Sequence, residues 1–453
     1  MGSEWQGVPS GWASVELRKL VEISIDKIET KSIPDKCYIS TDTMLPDFGG
    51  VSFNSATPSV AKTLLFSKED ILFSNIRTYF RKLWIADRNG GCSNDVIVFR
   101  PKECVHPRFL FYSMMEERFI QHTVQTSKGT KMPRGDKSAM LQYKTTLPPL
   151  PEQKAIAHIL GSLDDKIELN RRMNATLEGM AQALFQSWFV DFDPVIDNAL
   201  AAGNEIPEEL QARAEIRRKA LADGNANREA AKDFPDSFIE TKEMGWIPRG
   251  WGVKTLSDFG KVITGKTPPK EIENAYCNSG LPFITPTDVD DSMFVFSTNR
   301  FLSGKGQETV KNSKVEAGSI CVTCIGSQMG KTSIAPFDSY TNQQINTITG
   351  CEQKLRNFLF FNLRRRREEI FLKGSSGSTM PIINKSSFEK LNVLFPSDKL
   401  LSTVSDRFQN ILDSILQNTG MNVTLSNLRD TLLPKLLSGE LRVGDVERMV
   451  RVG

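Results

Sequence analysis

The chain has 453 residues, enough for about three domain-sized units, with 39% hydrophobic residues, 25% charged residues and a formal charge of only +3. That composition is too apolar for a mainly disordered chain, and no apolar run reaches the ~18–20 residues that cross a bilayer. Seven scattered cysteines argue against a disulfide scaffold and fit a reducing cytoplasm, while three isolated histidines argue against a His-based catalytic or zinc centre.

The first residues, MGSEWQGVPSGW, lack a basic stretch followed by an apolar one, so no export signal is expected. The segment GVPSGWASVEL (7–17) leads into a region with short β-rich runs at Asp70–Ser74 and Val96–Phe99 and one helix near 107–121. That mix is α+β and not alternating βαβ. Residues 62–144 carry 15 Lys/Arg against 8 Asp/Glu, a basic block in an otherwise acidic chain, which suits a surface facing a polyanion. Two polar loops lie in this block. One holds Ser74, Asn75, Arg77, Tyr79, Arg81 and Lys82, and the other, SKGTKMPRGDK (127–137), holds Lys128, Thr130, Lys131 and Arg134. Asn and Arg can pair with base edges, while Lys and glycine amides suit phosphates.

Next comes a strict a/d seam: Ile156, Leu160, Leu163, Ile167, Asn170, Asn174, Leu177, Ala181, Leu184 and Trp188 alternate spacings of four and three. It predicts a long helix within 151–193. Residues 194–243, rich in Ala, Asn, Asp and Glu, read as a partly helical, exposed connector.

The chain then repeats itself. GWIPRGWGVKTL (245–256) matches the opening segment, EAGSICVT (316–323) matches KEDILFS (68–74), and FLFFNL (358–363) matches FLFYSM (109–114). SSGSTMP (375–381) matches SKGTKMP (127–133), at offsets that settle near 248. β-rich runs fall at Ser319–Thr323 and Gln344–Ile348, with a helix near 355–372. Residues 300–395 hold 14 Lys/Arg against 7 Asp/Glu, so the basic block recurs. The candidate DNA-facing residues of the second copy, within 285–385, are Thr285 and Thr287, Ser327, Gln328 and Lys331, and Ser376, Ser378, Thr379 and Lys385. The seam returns as Val404, Phe408, Ile411, Ile415, Asn418, Asn422, Leu425, Arg429, Leu432 and Leu436, broken only at Arg429. Antiparallel pairing of the two seams about a pseudo-two-fold axis would bring the asparagines to the middle. A slipped register would strand amides among Leu and Ile at roughly 1–3 kcal/mol each.

Catalytic patterns fare poorly. GKVITGKT (260–267) fits the phosphate-loop spacing, but that site needs a helix starting at Lys266, and Pro268 and Pro269 follow at once. Cys321 and Cys324 form a lone CxxC inside a predicted strand, which suits packing better than a metal. PDSFIETK (235–242) has too little chain between its acids for a nuclease metal site, and Arg364–Arg367 reads as a solvated helix face.

Residues 147–195 (LPPLPEQKAIAHILGSLDDKIELNRRMNATLEGMAQALFQSWFVDFDPV), FPDSF before GWIPRGW, ITGKTP (263–268) and LLPKLLSGEL (432–441) closely resemble the specificity subunits of type I restriction-modification systems. The connector, over 196–232, is longer and more helical than that family's usual pattern.

The resemblance implies a non-catalytic subunit that reads a bipartite double-stranded DNA target and docks two adenine-methylating modification subunits and the restriction subunits. S-adenosylmethionine, ATP and Mg would belong to those partners, with no cofactor or metal in this chain. The expected fold is two globular α+β target-recognition domains separated by two long antiparallel coiled-coil helices, in a pseudo-two-fold tandem duplication. The expected boundaries are 1–150 and 244–395 for the recognition domains, 151–193 and 396–441 for the helices, 194–243 for the connector and 442–453 for a tail. A helix of about 35 residues is ~50 Å long, so the pair would act as a ruler between half-sites. The alternatives are a phosphate-loop NTP-binding protein using Gly260–Thr267 and a coiled-coil scaffold that reads no DNA.

Overall fold

The computed structural model describes residues 8–52, 58–375 and 381–445. The chain divides into two compact units, one of residues 1–169 with 422–453, the other of residues 170–421.

In the first unit a sheet runs in the order Val21–Ile23, Val96–Pro101, Ile71–Ser74, Leu83–Ile85, all neighbours antiparallel. Successive strand residues face opposite ways. Ile71, Phe73, Ile97 and Phe99 therefore pack with the helix Pro107–Met115, whereas Leu72, Val96 and Val98 pack with Ile39 and Phe66. That second cluster is closed by a further sheet of Lys27–Glu29, Lys62–Phe66, Gly90–Cys92 and Tyr38–Ile39. Burial on both faces is the reason Ile71–Phe73 and Val96–Phe99 are unbroken apolar runs with no polar alternation.

The second unit repeats the arrangement. Lys261–Thr264, Ile345–Thr349, Ile320–Thr323 and Thr332–Ile334 follow the same sheet order. The pairing of Ala13–Glu16 with Lys144–Leu147 recurs as Gly252–Thr255 with Asn392–Phe395. Even the left-handed turn residue before the central strand is duplicated, Glu69 at φ 73° and Gly318 at φ 86°.

The single helix expected near 107–121 is two, Pro107–Met115 and Glu117–Gln125, and that near 355–372 is also two, Gln353–Arg365 and Arg367–Ser375. The first break is an extended Glu116 (ψ 135°), which redirects the chain so that Phe119 reaches Phe73 at 5.8 Å between ring centres. A seam-type reading of apolar spacing does not register such a change of direction.

The long helices span Leu150–Phe189 and Asp398–Ser438, and all the seam residues are buried or half-buried. Within the first unit Asp164 pairs with Arg429 at 2.8 Å and Glu152 with Arg442 at 3.0 Å. Within the second, Asn418 Nδ2 donates to Asn174 Oδ1 at 2.9 Å, and Trp188 meets Phe408 at 6.3 Å between ring centres. In both units numbers rise along one helix as they fall along the other, so the helices are antiparallel. The seam's exception is satisfied: Arg429 holds Asp164, which also accepts from the Tyr112 hydroxyl at 2.7 Å. At the equivalent places the second unit has apolar Ala181, Leu412 and Phe361.

Two expectations change here. The first helix ends at Phe189 and not near 193, because Phe192 is left-handed (φ 56°) and a new helix begins at Asp193–Ala202. The connector is not an exposed strap either. Val195, Ile196, Ala199, Phe234 and Phe238 are buried in the second unit's core. Its helices Asp193–Ala202 and Gln211–Ala222 are clamped by forked ion pairs, with Arg213 Nε to Asp193 at 2.6 Å and Arg217 Nε to Asp197 at 2.8 Å. The two aspartates are i,i+4 on one helix and the two arginines i,i+4 on the other, which lines them up face to face.

Candidate nucleic-acid interface

The two basic loops of the first unit lie far apart in sequence and side by side in space. Arg77 N donates to Pro133 O (2.8 Å), Gly135 N to Asn75 O (3.1 Å), and Asn75 N to Asp95 O (2.8 Å). The second unit makes the same three bonds: Gly326 N to Pro381 O (2.9 Å), Ile383 N to Cys324 O (3.0 Å) and Cys324 N to Gln344 O (2.8 Å). Each is displaced by 248–249 residues. Strand ends and loops are thus stitched into one duplicated surface patch per unit.

The expected contacts fare unequally. In the first unit Tyr79, Lys128, Thr130, Lys131 and Arg134 are exposed, and Asn75, Arg77, Arg81 and Lys82 are half-buried. Ser74 is a correction: it is 2% exposed within its strand and its hydroxyl donates to Ile76 O at 3.2 Å, so it shapes the turn and cannot reach a ligand. Several cations are engaged internally. Arg81 pairs with Glu117 (2.7 Å), Lys82 Nζ donates to Thr41 O (2.6 Å), Lys128 meets Asp136 (2.5 Å) and Arg134 meets Asp95 (2.9 Å). Lys128, with two backbone amides, holds the Asp136 carboxyl below its ordinary range.

In the second unit Thr287, Ser327, Gln328 and Lys385 are exposed, Lys331 is half-buried, and Lys385 pairs with Glu389 at 3.5 Å. Thr285 is half-buried and spends its hydroxyl on Asp288 at 2.6 Å. Ser376, Ser378 and Thr379 lie outside the described residues.

Residues not singled out by sequence complete the patches. Exposed Asn94 sits beside Asp95, and exposed Gln343 accepts from the Thr267 hydroxyl at 2.6 Å, with exposed Lys266 next to it. Extending the self-comparison to the residues just before VIVF and INTIT aligns Ser93–Asp95 with Asn342–Gln344 and would have exposed this signal.

The phosphate-loop reading is overturned. Lys261–Thr264 is a strand, Lys266 N donates to Thr341 O (2.9 Å), and the Pro268 that follows continues without a helix, so there is no helical N-terminus to hold phosphates. Cys321 and Cys324 are buried, and burial pushes both thiols up to about 12. The arginine run is not a solvated face: Arg364 donates to the carbonyls of Asp291, Ser292 and Thr332, and Arg366 forks onto Glu369 at 2.7 Å. Among the described residues no cluster of three potential metal ligands occurs, and no helix is long and apolar enough to cross a membrane.

The family described as type I restriction modification DNA specificity domain matches residues 9–179 and 248–422, once per repeat. The type I restriction enzyme HindI specificity subunit of Haemophilus influenzae is 31% identical over 95% of this chain and 100% of its own length. The MjaIX specificity subunit of Methanocaldococcus jannaschii is 24% identical over 76% of this chain and 72% of its own. The crystal structure of a type I restriction-modification S subunit from M. genitalium superposes with a TM-score of 0.56 at 14% identity, covering 95% of this chain and 97% of that one, which shows a shared fold. With its tandem recognition units, paired antiparallel helices and duplicated loop patches, the chain belongs to the type I restriction-modification DNA specificity family, as a non-catalytic subunit that supplies sequence recognition.

Proposed function

We propose that the two loop patches each read one half of a bipartite double-stranded DNA target. The first is formed by residues 74–82, 93–95 and 127–137. The second is formed by residues 264–267, 285–287, 324–331, 342–344 and 381–385. The observation that carries this is the repetition of the three loop-stitching backbone bonds at 248–249 residues. A fold that conserves loop position while the side chains diverge (Arg77 against Gly326, Tyr79 against Gln328) fixes the frame and varies the reading. Half-exposed Asn, Gln and Arg side chains serve base edges, and Lys266, Lys131 and Lys331 serve phosphates.

In this reading the chain works in the cytoplasm and docks two adenine-methylating modification subunits and the restriction subunits. S-adenosylmethionine, ATP and Mg are bound by those partners. The test is to map methylated adenines in DNA exposed to this chain with its modification partner, for the native protein and for Gln328→Ala. The expected result is a split target, with the substitution relaxing one half and sparing the other. A contiguous target, or methylation without sequence preference, overturns the proposal, and the latter outcome favours a scaffold role.

A further inference from the structure

The same five-residue turn closes both patches. In the second unit it runs Gly326 to Gly330, with φ +82° and +85° at its two ends. In the first it runs Arg77 to Arg81, with φ +50° and +54°, around a short 3-10 turn of Thr78–Phe80. The closing bonds correspond: Phe80 N to Arg77 O (2.9 Å) and Met329 N to Gly326 O (3.1 Å). The geometry therefore demands a left-handed residue at each end, where glycine is free and any L side chain is strained.

At the far end the arginine has a structural return, since Arg81 pairs with Glu117 at 2.7 Å. At the near end it has none. Among the described residues the Arg77 guanidinium has no hydrogen bond or ion pair, although it is half-buried beside three cations that do. Two residues earlier Asn75 Oδ1 is buried with no hydrogen-bond partner among the described residues. A strained backbone and unspent polar groups at one turn mark a site held ready for something outside the chain.

Resting on the bipartite reading above, we propose that Arg77 is the specificity-determining residue of the first half-site, forking onto a guanine in the major groove, and that the second half-site lacks this contact because Gly326 stands in its place. Guanine is the base edge whose paired O6 and N7 acceptors match a guanidinium fork. Arg77 also opens the turn and is tied to the second loop, its N–H donating to Pro133 O at 2.8 Å, while Gly135 N donates to Asn75 O at 3.1 Å just before it. The exposed Tyr79, whose ring lies 4.7 Å from that of Phe80, offers a flat face next to it for the sugar or an adjoining base.

The experiment maps methylated sites and DNA affinity for the complex with its modification partner, comparing the native chain, Arg77→Gly and Arg77→Lys. Arg77→Gly is expected to lose discrimination at one guanine of the first half-site by roughly ten- to a hundred-fold, with the second half-site unchanged and the melting temperature equal or higher, because strain is relieved. Arg77→Lys, which keeps the charge but not the fork, is expected to lose discrimination likewise while keeping the salt dependence. A uniform loss across all sequences, with the salt slope reduced by about one, would make Arg77 a phosphate contact and overturn the proposal. So would a lowered melting temperature with discrimination intact. If the native complex itself marks no split target, the functional reading fails together with this one, whereas a split target indifferent to Arg77→Gly sinks this one alone.

Discussion

The polar triple at the end of the second long helix gives a sharp energetic prediction. Asp164, whose side chain is 27% exposed, accepts from Tyr112 at 2.7 Å and from Arg429, 13% exposed, at 2.8 Å. Burial lowers the Arg429 pKa and the neighbouring Asp164 and Asp430 raise it, with the net shift upward, so the arginine stays charged at any accessible pH. Removing one partner strands the other. Arg429→Ala should cost about 2–3 kcal/mol, the worth of a hydrogen bond to a charged group plus the desolvation left behind. For a unit of this size that is a fall in melting temperature of about 5–10 °C. Replacing all three together by their counterparts from the second unit (Tyr112→Phe, Asp164→Leu, Arg429→Ala) removes every buried polar atom of the group at once. That variant should fall within about 1 kcal/mol of the native chain, or exceed it, as apolar replacements of buried ion pairs commonly do. Urea unfolding followed by fluorescence and circular dichroism, with the single substitutions alongside, measures the non-additivity. A triple variant destabilised by the full sum of the three single losses would refute the idea that the two units share one packing solution in two chemical versions.

Other outcomes follow from the same framework. Asn418→Leu should lose roughly 1–3 kcal/mol because Asn174 keeps its amide without the 2.9 Å partner, while Asn174→Leu with Asn418→Leu should recover most of it; unfolding midpoints decide, and equal losses for single and double variants would contradict it. Glu369 is held down to about 2 by the Arg366 fork first and by Lys373 next. A depressed carboxyl stabilises the fold above its ordinary value of 4.5 and ceases to as pH falls through about 2. The stability gap between native and Glu369→Gln chains should therefore close between those limits, modestly because the side chain is 42% exposed, and a gap constant from pH 7 to 2 would count against it. Residues 1–193 alone lack Leu433, Leu436 and Leu437, which bury Ile156 and Leu160; a second copy's Phe185, Trp188 and Phe189 sit at the matching repeat positions, so the fragment should dimerise. Light scattering at micromolar concentration that finds monomers would overturn that expectation.

Periodicity carried the long-range plan because it is a property of many residues at once. The alternating fours and threes from Ile156 to Trp188, repeated 248 residues later with the Asn pair in register, specify two matched helices whatever the rest does. Local chemistry also read correctly at Gly260–Thr267, where Pro268 and Pro269 forbid the helix a phosphate loop requires. The sheet closed by Gly90 and Gly91 could not be read this way. Those glycines are fixed by near neighbours, a Cβ meeting Cys37 O at 2.3 Å or Thr63 Oγ1 at 2.6 Å, and none of these is close in sequence. The connector failed for a similar reason. Asp193 and Asp197 look like solvent-facing charge until Arg213 and Arg217 come alongside them, after which the apolar face of Val195 and Ile196 has only the core to face.

The sequence alone determined the duplication, the heptad seams and the bare outline of two α+β units, since each depends on patterns of residue type that survive without coordinates. The tertiary structure alone decided which loops meet and which of their side chains remain unspent. Backbone bonds between residues more than fifty positions apart, such as Arg77 to Pro133, place the two loops together. Ion pairs then engage Arg81, Lys128 and Arg134, while the Arg77 guanidinium has none among the described residues. Charge along a chain says how many cations there are, but only the position of the opposing carboxylates says which of them are available to bind.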